Sequence, residues 1–195
     1  MKKRAYILEA DVEALEYEVI FGNEKIVFIK AGADGTVSGC ENKYYRMAQR
    51  LHERLGATVI CASNPDTPHR ELDEQKIRQT IHDRGFSDFE IYFIGNSDGA
   101  YHNLLLAKRF PEAVKLVGIN SSYITVLDLQ EKLQDLPNVS KVLVYGTNDD
   151  DFDRVVPALE NMVCNNLSLK YVEGANHDFT GMLEEFIGTA EHLCD

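Results

Sequence analysis

The chain has 195 residues and is 44% hydrophobic, enough for one sizeable core and too little for two. Its 32 acidic and 20 basic side chains leave a formal net charge of -12, which opposes binding to nucleic acid or to anionic membrane surfaces. No segment approaches the roughly 20 apolar residues that cross a bilayer. Met1-Lys2-Lys3-Arg4 has the charge of a signal-peptide start, but Glu9, Asp11, Glu13, Glu16 and Glu18 interrupt any apolar stretch after it. Cys40, Cys61, Cys164 and Cys194 are scattered without CxxC spacing, which argues against a zinc site and against a disulfide scaffold. A soluble, cytoplasmic, single-domain protein spanning residues 1–195 is the expectation. The sequons at Asn120, Asn138 and Asn166 are read as chance matches, and nothing in the sequence bears on oligomeric state.

In chain order, strands are predicted at Ala5 to Leu8, Leu15 to Phe21 and Ile26 to Lys30, with Gly22-Asn23-Glu24 as a turn and an antiparallel start. A glycine-rich loop, Gly32 to Gly39, follows. The helix after it, Asn42 to Leu55, carries Tyr45, Ala48, Leu51 and Leu55 at helical spacing and is stopped by Gly56. Next come the strand Thr58 to Ala62, a loop holding Pro65 and Pro68, and a helix from Glu71 to Arg84 closed by Gly85. The apolar strand Ile91 to Ile94 suits burial on both faces of a sheet. Helix Ala100 to Phe110, strand Lys115 to Ile119, helix Leu127 to Asp135 and strand Val142 to Tyr145 follow, then helix Val155 to Met162, strand Leu167 to Val172 and a last helix near Met182 to His192. Strands alternating with helices imply a mostly parallel sheet covered on both sides. The stretch between Ile119 and Val142 leaves room for one helix and no inserted lid.

The chemistry centres on Gly95-Asn96-Ser97-Asp98-Gly99, which has the pattern G-x-S-x-G. An apolar strand runs into it and a helical stretch runs out, as a sharp strand-to-helix turn requires, and small flanking residues relieve the crowded backbone. The plain alternative is a glycine-flanked turn. A serine hydroxyl needs a base and a group that orients that base. His177, in Gly174-Ala175-Asn176-His177-Asp178-Phe179, follows the last predicted strand and can supply the imidazole. The acid falls in Gly146-Thr147-Asn148-Asp149-Asp150-Asp151-Phe152-Asp153. Asp149, three residues past Gly146, is favoured, and Asp153 is the alternative. Oxyanion donors are expected from the backbone N–H groups of Asp98 and of Ala33 in the loop after the third strand. The glycines at 32, 35 and 39 fit neither a dinucleotide fingerprint nor a P-loop, so no cofactor is expected. His52, His69, His82, His102 and His192 have no ligand spacing, and no metal is expected.

Over almost its whole length the chain resembles the α/β-hydrolases. The carriers are Ala31-Gly32-Ala33, the elbow Gly95 to Gly99, Gly146-Thr147-Asn148-Asp149 and Gly174-Ala175-Asn176-His177, each after a predicted strand. The resemblance implies a sheet of about seven to eight strands, no cap domain, and a Ser, Asp, His triad in that chain order. Two departures stand out. Ala31 occupies a position where many members carry histidine, and both Asp149 and the run Asp153-Arg154-Val155-Val156-Pro157 match the family's acid patterns.

The resemblance further implies a serine hydrolase acting on a small carboxylic ester or thioester through an acyl-enzyme. Two other readings use the same residues: a peptidase or carbon-carbon bond hydrolase, and a hydrolase-like binding protein without turnover. Asp34, Asn96, Asp98, Tyr101 and Tyr123 are candidates to face the substrate.

Overall fold

The computed structural model describes residues 5–7, 15–65, 70–121 and 125–194. The basic start at residues 1–4 and the positions Leu8, Pro68, His69 and Tyr123 lie outside the described residues. The strands are β1 (Ala5–Ile7), β2 (Glu16–Ile20), β3 (Asn23–Lys30), β4 (Ala57–Ala62), β5 (Glu90–Asn96), β6 (Ala113–Ile119), β7 (Ser140–Gly146) and β8 (Leu167–Val172). The helices are α1 (Lys43–Leu55), α2 (Arg70–Arg84), α3 (Asp98–Ala107), α4 (Val126–Gln134), α5 (Phe152–Glu160) and α6 (Leu183–Gly188).

Among the described residues the eight strands form one sheet in the order β1-β2-β4-β3-β5-β6-β7-β8. β2 is antiparallel to both β1 and β4, and every pairing from β4 through β8 is parallel. The antiparallel start is therefore present, but Gly22-Asn23-Glu24 is not a hairpin turn, because β2 and β3 are separated by β4. The reason lies in composition. Val27 to Lys30 is buried on both faces, so β3 belongs in the middle of the sheet rather than beside an edge strand. Gly22 lets the chain pass beneath the start of β4: a side-chain carbon there would lie 2.0 Å from Gly56 O, and Gly22 N donates to Thr58 Oγ1 at 2.9 Å.

The two faces carry separate apolar layers. On one, Phe28, Phe93, Leu116 and Leu143 pack under α2, α3, α4 and α5 through Ile77, Leu104, Leu129, Leu133 and Val155. On the other, Val27, Ile29, Ile94, Val117 and Val144 meet Met47, Ala48 and Leu51 of α1 and Phe186 and Ile187 of α6. Burying each such Leu, Ile or Phe contributes roughly 1.5–3 kcal/mol. α1 ends where its sequence says it should: Gly56 takes a left-handed φ of 65° and its N–H returns to His52 O. The last predicted helix is shorter than expected. It is α helical only to Gly188 and tightens to a 3-10 turn over Thr189–Leu193.

Beneath the helix-rich face lies a buried charged group. Lys30 Nζ and His102 Nε2 each stand 2.8 Å from Asp73 Oδ2, and Tyr17 donates to Asp73 Oδ1 at 2.9 Å. All four residues are buried, and together they join β2, β3, α2 and α3. Burial pulls the Lys30 amine below its ordinary pKa despite the carboxylate beside it. Burial also pushes His102 below the imidazole range, against the opposing bond to Asp73. For Asp73 burial works against the charge, but the contacts from His102 and Lys30 outweigh it and hold the carboxyl below its usual range.

Candidate active site

Ser97 stands at the turn between β5 and α3 with φ 53° and ψ −122°, backbone angles that side-chain-bearing residues rarely adopt. Such strain costs of order 1–3 kcal/mol and persists only where the surroundings enforce it. They do so here through the two flanking glycines. A side-chain carbon at Gly95 would lie 2.4 Å from Ala100 N and Cα, and one at Gly99 would lie 2.1 Å from Ala31 O. The Ser97 N–H is tied to Ile119 O at 2.8 Å. The turn thus lifts the hydroxyl off the end of the sheet while α3 packs tightly against β3.

The imidazole arrives from the loop after β8. His177 Nε2 is 2.9 Å from Ser97 Oγ, and His177 Nδ1 is 2.6 Å from Asp149 Oδ2. The His177 loop is pinned on its far side by Phe179, which adopts φ 56°, is buried, and meets Phe186 of α6 edge-on at 5.4 Å between ring centres. The imidazole itself is open to solvent, its side chain 45% exposed, whereas the Asp149 side chain is 3% exposed.

Of the competing aspartates it is Asp149 that reaches His177. A tight turn after β7, closed by Asp149 N to Gly146 O at 3.0 Å, swings its carboxylate inward, and Asp151 N donates to the second oxygen at 2.9 Å. Asp153 lies exposed in the first turn of α5, where a negative charge complements the helix N-terminus. Asp151 instead pairs with Arg154.

The loop after β3 runs over Ser97. Gly35 N donates to Gly32 O at 2.9 Å, closing a turn around Ala33 and Asp34, and Asp34 takes φ 55°. Ala31 is fully buried, and the loop after it is anchored by Tyr44 of α1, whose hydroxyl accepts from Gly32 N at 3.2 Å. Asn64, just past β4, ties both expected oxyanion segments together: its N–H donates to Gly35 O at 2.9 Å and its Nδ2 to Asp98 Oδ2 at 3.0 Å. A cavity of about 450 Å3 opens here, lined by Ala33, Asp34, Asn96, Ser97, His177 and Asp178 among others. Tyr101 faces away, its hydroxyl donating to Asp128 of α4 at 2.5 Å. Burial and that carboxylate push its pKa up to about 12.

Between β6 and β7 the described residues hold one helix, α4, and no inserted domain. Among the described residues no group of three His, Cys, Asp or Glu side chains converges as metal ligands would, and no helix is long and apolar enough to cross a membrane. Tyr44 and Asn64 were not singled out from sequence. Their bonds go to backbone or side-chain groups of distant segments, so no motif marks them.

No protein-family model matches the chain, and no curated protein matches it by sequence. Solved structures do match. Est1E from Butyrivibrio proteoclasticus superposes over 97% of each chain with a TM-score of 0.73 at 14% identity. An alpha-beta serine hydrolase homologue from Coxiella burnetii matches over 100% of this chain and 99% of its own, with a TM-score of 0.71 at 16% identity. A serine hydrolase without a lid from Xanthomonas campestris matches over 98% of this chain and 93% of its own, with a TM-score of 0.65 at 20% identity. Together with the strand order and the turn at Ser97, these likenesses establish that the chain has the α/β-hydrolase fold, with no cap domain among the described residues.

Proposed function

We propose that the protein is a serine hydrolase that cleaves a small carboxylic ester or thioester. One observation carries the reading: Ser97 Oγ, His177 Nε2, His177 Nδ1 and Asp149 Oδ2 form a continuous chain with links of 2.9 and 2.6 Å, starting from a strained serine. That strain keeps the hydroxyl presented to the cavity rather than folded into a helix cap.

In the reaction, Ser97 Oγ attacks the substrate carbonyl carbon and its proton passes to His177 Nε2. Asp149 accepts the bond from Nδ1–H, which fixes the tautomer and stabilises the imidazolium. The N–H groups of Asp98 and Ala33 receive the charge developing on the carbonyl oxygen. The bond to the leaving group breaks as Nε2–H returns its proton to the departing alkoxide or thiolate. A water then loses a proton to Nε2 and attacks the acyl carbon, and as the Oγ–C bond breaks Nε2–H gives that proton to Ser97 Oγ, freeing the serine with the carboxylic acid as product. A 45% exposed imidazole leaves that water a direct route.

The test is turnover of short-chain p-nitrophenyl esters together with labelling by a fluorophosphonate. Ser97→Ala is expected to lower kcat at least about 10⁴-fold and abolish labelling. Unchanged turnover in that variant overturns the mechanism. A folded wild-type protein that neither turns over esters nor takes the label overturns the enzymatic reading in favour of a binding protein.

A further inference from the structure

One residue outside the triad touches two of its three segments and adjoins the third. Asn120 follows β6, is buried at 2% exposure and holds a left-handed φ of 42°. Its Oδ1 accepts from Gly146 N at 2.9 Å, at the root of the acid turn. Its Nδ2 donates to His177 O at 2.9 Å and to Asn176 O at 3.3 Å. Its backbone N–H goes to Val144 O at 2.8 Å, and the preceding carbonyl, Ile119 O, is the acceptor that holds Ser97 N. A single carboxamide therefore bridges the strand end that carries Asp149 to the loop that carries His177. Asparagine suits the task because it offers a donor and an acceptor on one short rigid group and tolerates left-handed backbone.

From this geometry we infer that Asn120 is a positioning residue for the proposed hydrolysis: it sets the distance between Asp149 and His177 and so keeps the imidazole aimed at Ser97. The inference rests on the serine-hydrolase reading for its kinetic consequence, but the distance it sets is measurable without turnover. His177 sits on a loop with its side chain largely exposed, and its backbone carbonyl gives the end of β6 a direct hold on the residue that carries the imidazole. Displacements on the order of 1 Å in such a site cost about 100-fold in rate.

The experiment compares wild type with Asn120→Asp and Asn120→Ser, and with Thr58→Val as control. Asn120→Asp keeps volume and the acceptor for Gly146 N while replacing the donor to His177 O with an oxygen. Thr58→Val also removes two buried bonds, to Gly22 N and Asn23 O, at the opposite end of the sheet. The readouts are kcat and KM on p-nitrophenyl butyrate, and the far-downfield proton resonance of the Nδ1–H bond between His177 and Asp149. Both Asn120 variants should lose kcat by about 10- to 100-fold with KM within about twofold, and should lose or broaden the resonance. Thr58→Val should keep both. The proposal is overturned by a kcat in the Asn120 variants no lower than in Thr58→Val, by a retained resonance, or by failure of both Asn120 variants to fold, which would assign the residue to the fold alone. Should wild type lack esterase activity, the enzymatic reading fails while the resonance still decides whether Asn120 positions His177.

Discussion

A side-chain carbon placed on Gly99 would lie 2.1 Å from the carbonyl oxygen of Ala31 and 2.5 Å from that of Lys30. The start of α3 and the end of β3 are thus in backbone contact directly below the proposed oxyanion donors. Gly99→Ala cannot be absorbed by a rotamer change, since both obstructing atoms are backbone. It should destabilise the protein by more than about 3 kcal/mol and displace Ser97. Gly174→Ala is the comparison: a carbon there meets nothing within 4 Å, and the cost is the strain of φ 75°, about 1–2 kcal/mol. Urea denaturation of the two variants checks the difference, and equal losses would contradict the steric account.

Asp149 and Asp153 should separate cleanly. Asp149→Asn leaves the shape of the site but can no longer hold Nδ1–H of His177 as an ionised acceptor, so kcat on a p-nitrophenyl ester should fall by about 10³- to 10⁴-fold. Asp153→Asn removes an exposed charge from the first turn of α5 and should change kcat less than about twofold. A reversed ranking would move the acid to Asp153.

Acid should weaken the fold partly through His102. An unfolded imidazole titrates near about 6.5, whereas burial lowers the pKa of His102 in the folded state. The unfolded chain therefore binds more protons just below that pH, and stability falls as pH drops through about 6.5. Asp73 acts later in the same direction. Its folded pKa is depressed, so its contribution is present above about 3.9 and is lost as pH falls through the folded value. Unfolding free energies of wild type and His102→Gln between about pH 8 and pH 5 provide the check. The variant should show a flatter curve below about 6.5, and parallel curves would remove His102 from the account.

Removing Asp73 should be costlier than removing the whole ion pair. Asp73→Asn leaves the Lys30 ammonium buried without its counter-charge, at roughly 3–5 kcal/mol. Lys30→Met and Asp73→Leu combined with Tyr17→Phe and His102→Leu removes both charges together with the two polar groups that Asp73 also satisfies, and should lose less than Asp73→Asn alone. Thermal or urea unfolding decides, and a combined variant that loses as much as Asp73→Asn or more would argue that the charged group itself carries the stability.

Much of this was legible in the sequence because it is written in local patterns. The apolar run Ile91 to Ile94, the glycines around Ser97 and the stop at Gly56 each fix their own neighbourhood. The order of β2, β4 and β3 was not legible. It depends on which strand can be buried on both faces, and adjacency in sequence suggested a hairpin instead. Among the aspartates after β7, the distance from the strand end favours Asp149, and what spacing does not show is the tight turn that swings its carboxylate to His177. Tyr44, Asn64 and Asn120 escaped notice because each works through polar groups of segments far away in sequence; Asn120 stood out only as an apparent sequon, yet its side chain is buried.

Ser97 and His177 are separated by 80 positions, and Asp149 and His177 by 28. The elbow can form once β5, β6 and α3 are made, but the imidazole comes into place only when β8 has docked on β7. In the proposed mechanism the serine therefore precedes by 80 positions the base that would activate it. On that reading, a chain that had formed the five parallel strands through β7 would hold the strained hydroxyl without its base, and reactivity would arrive with the closing edge of the sheet.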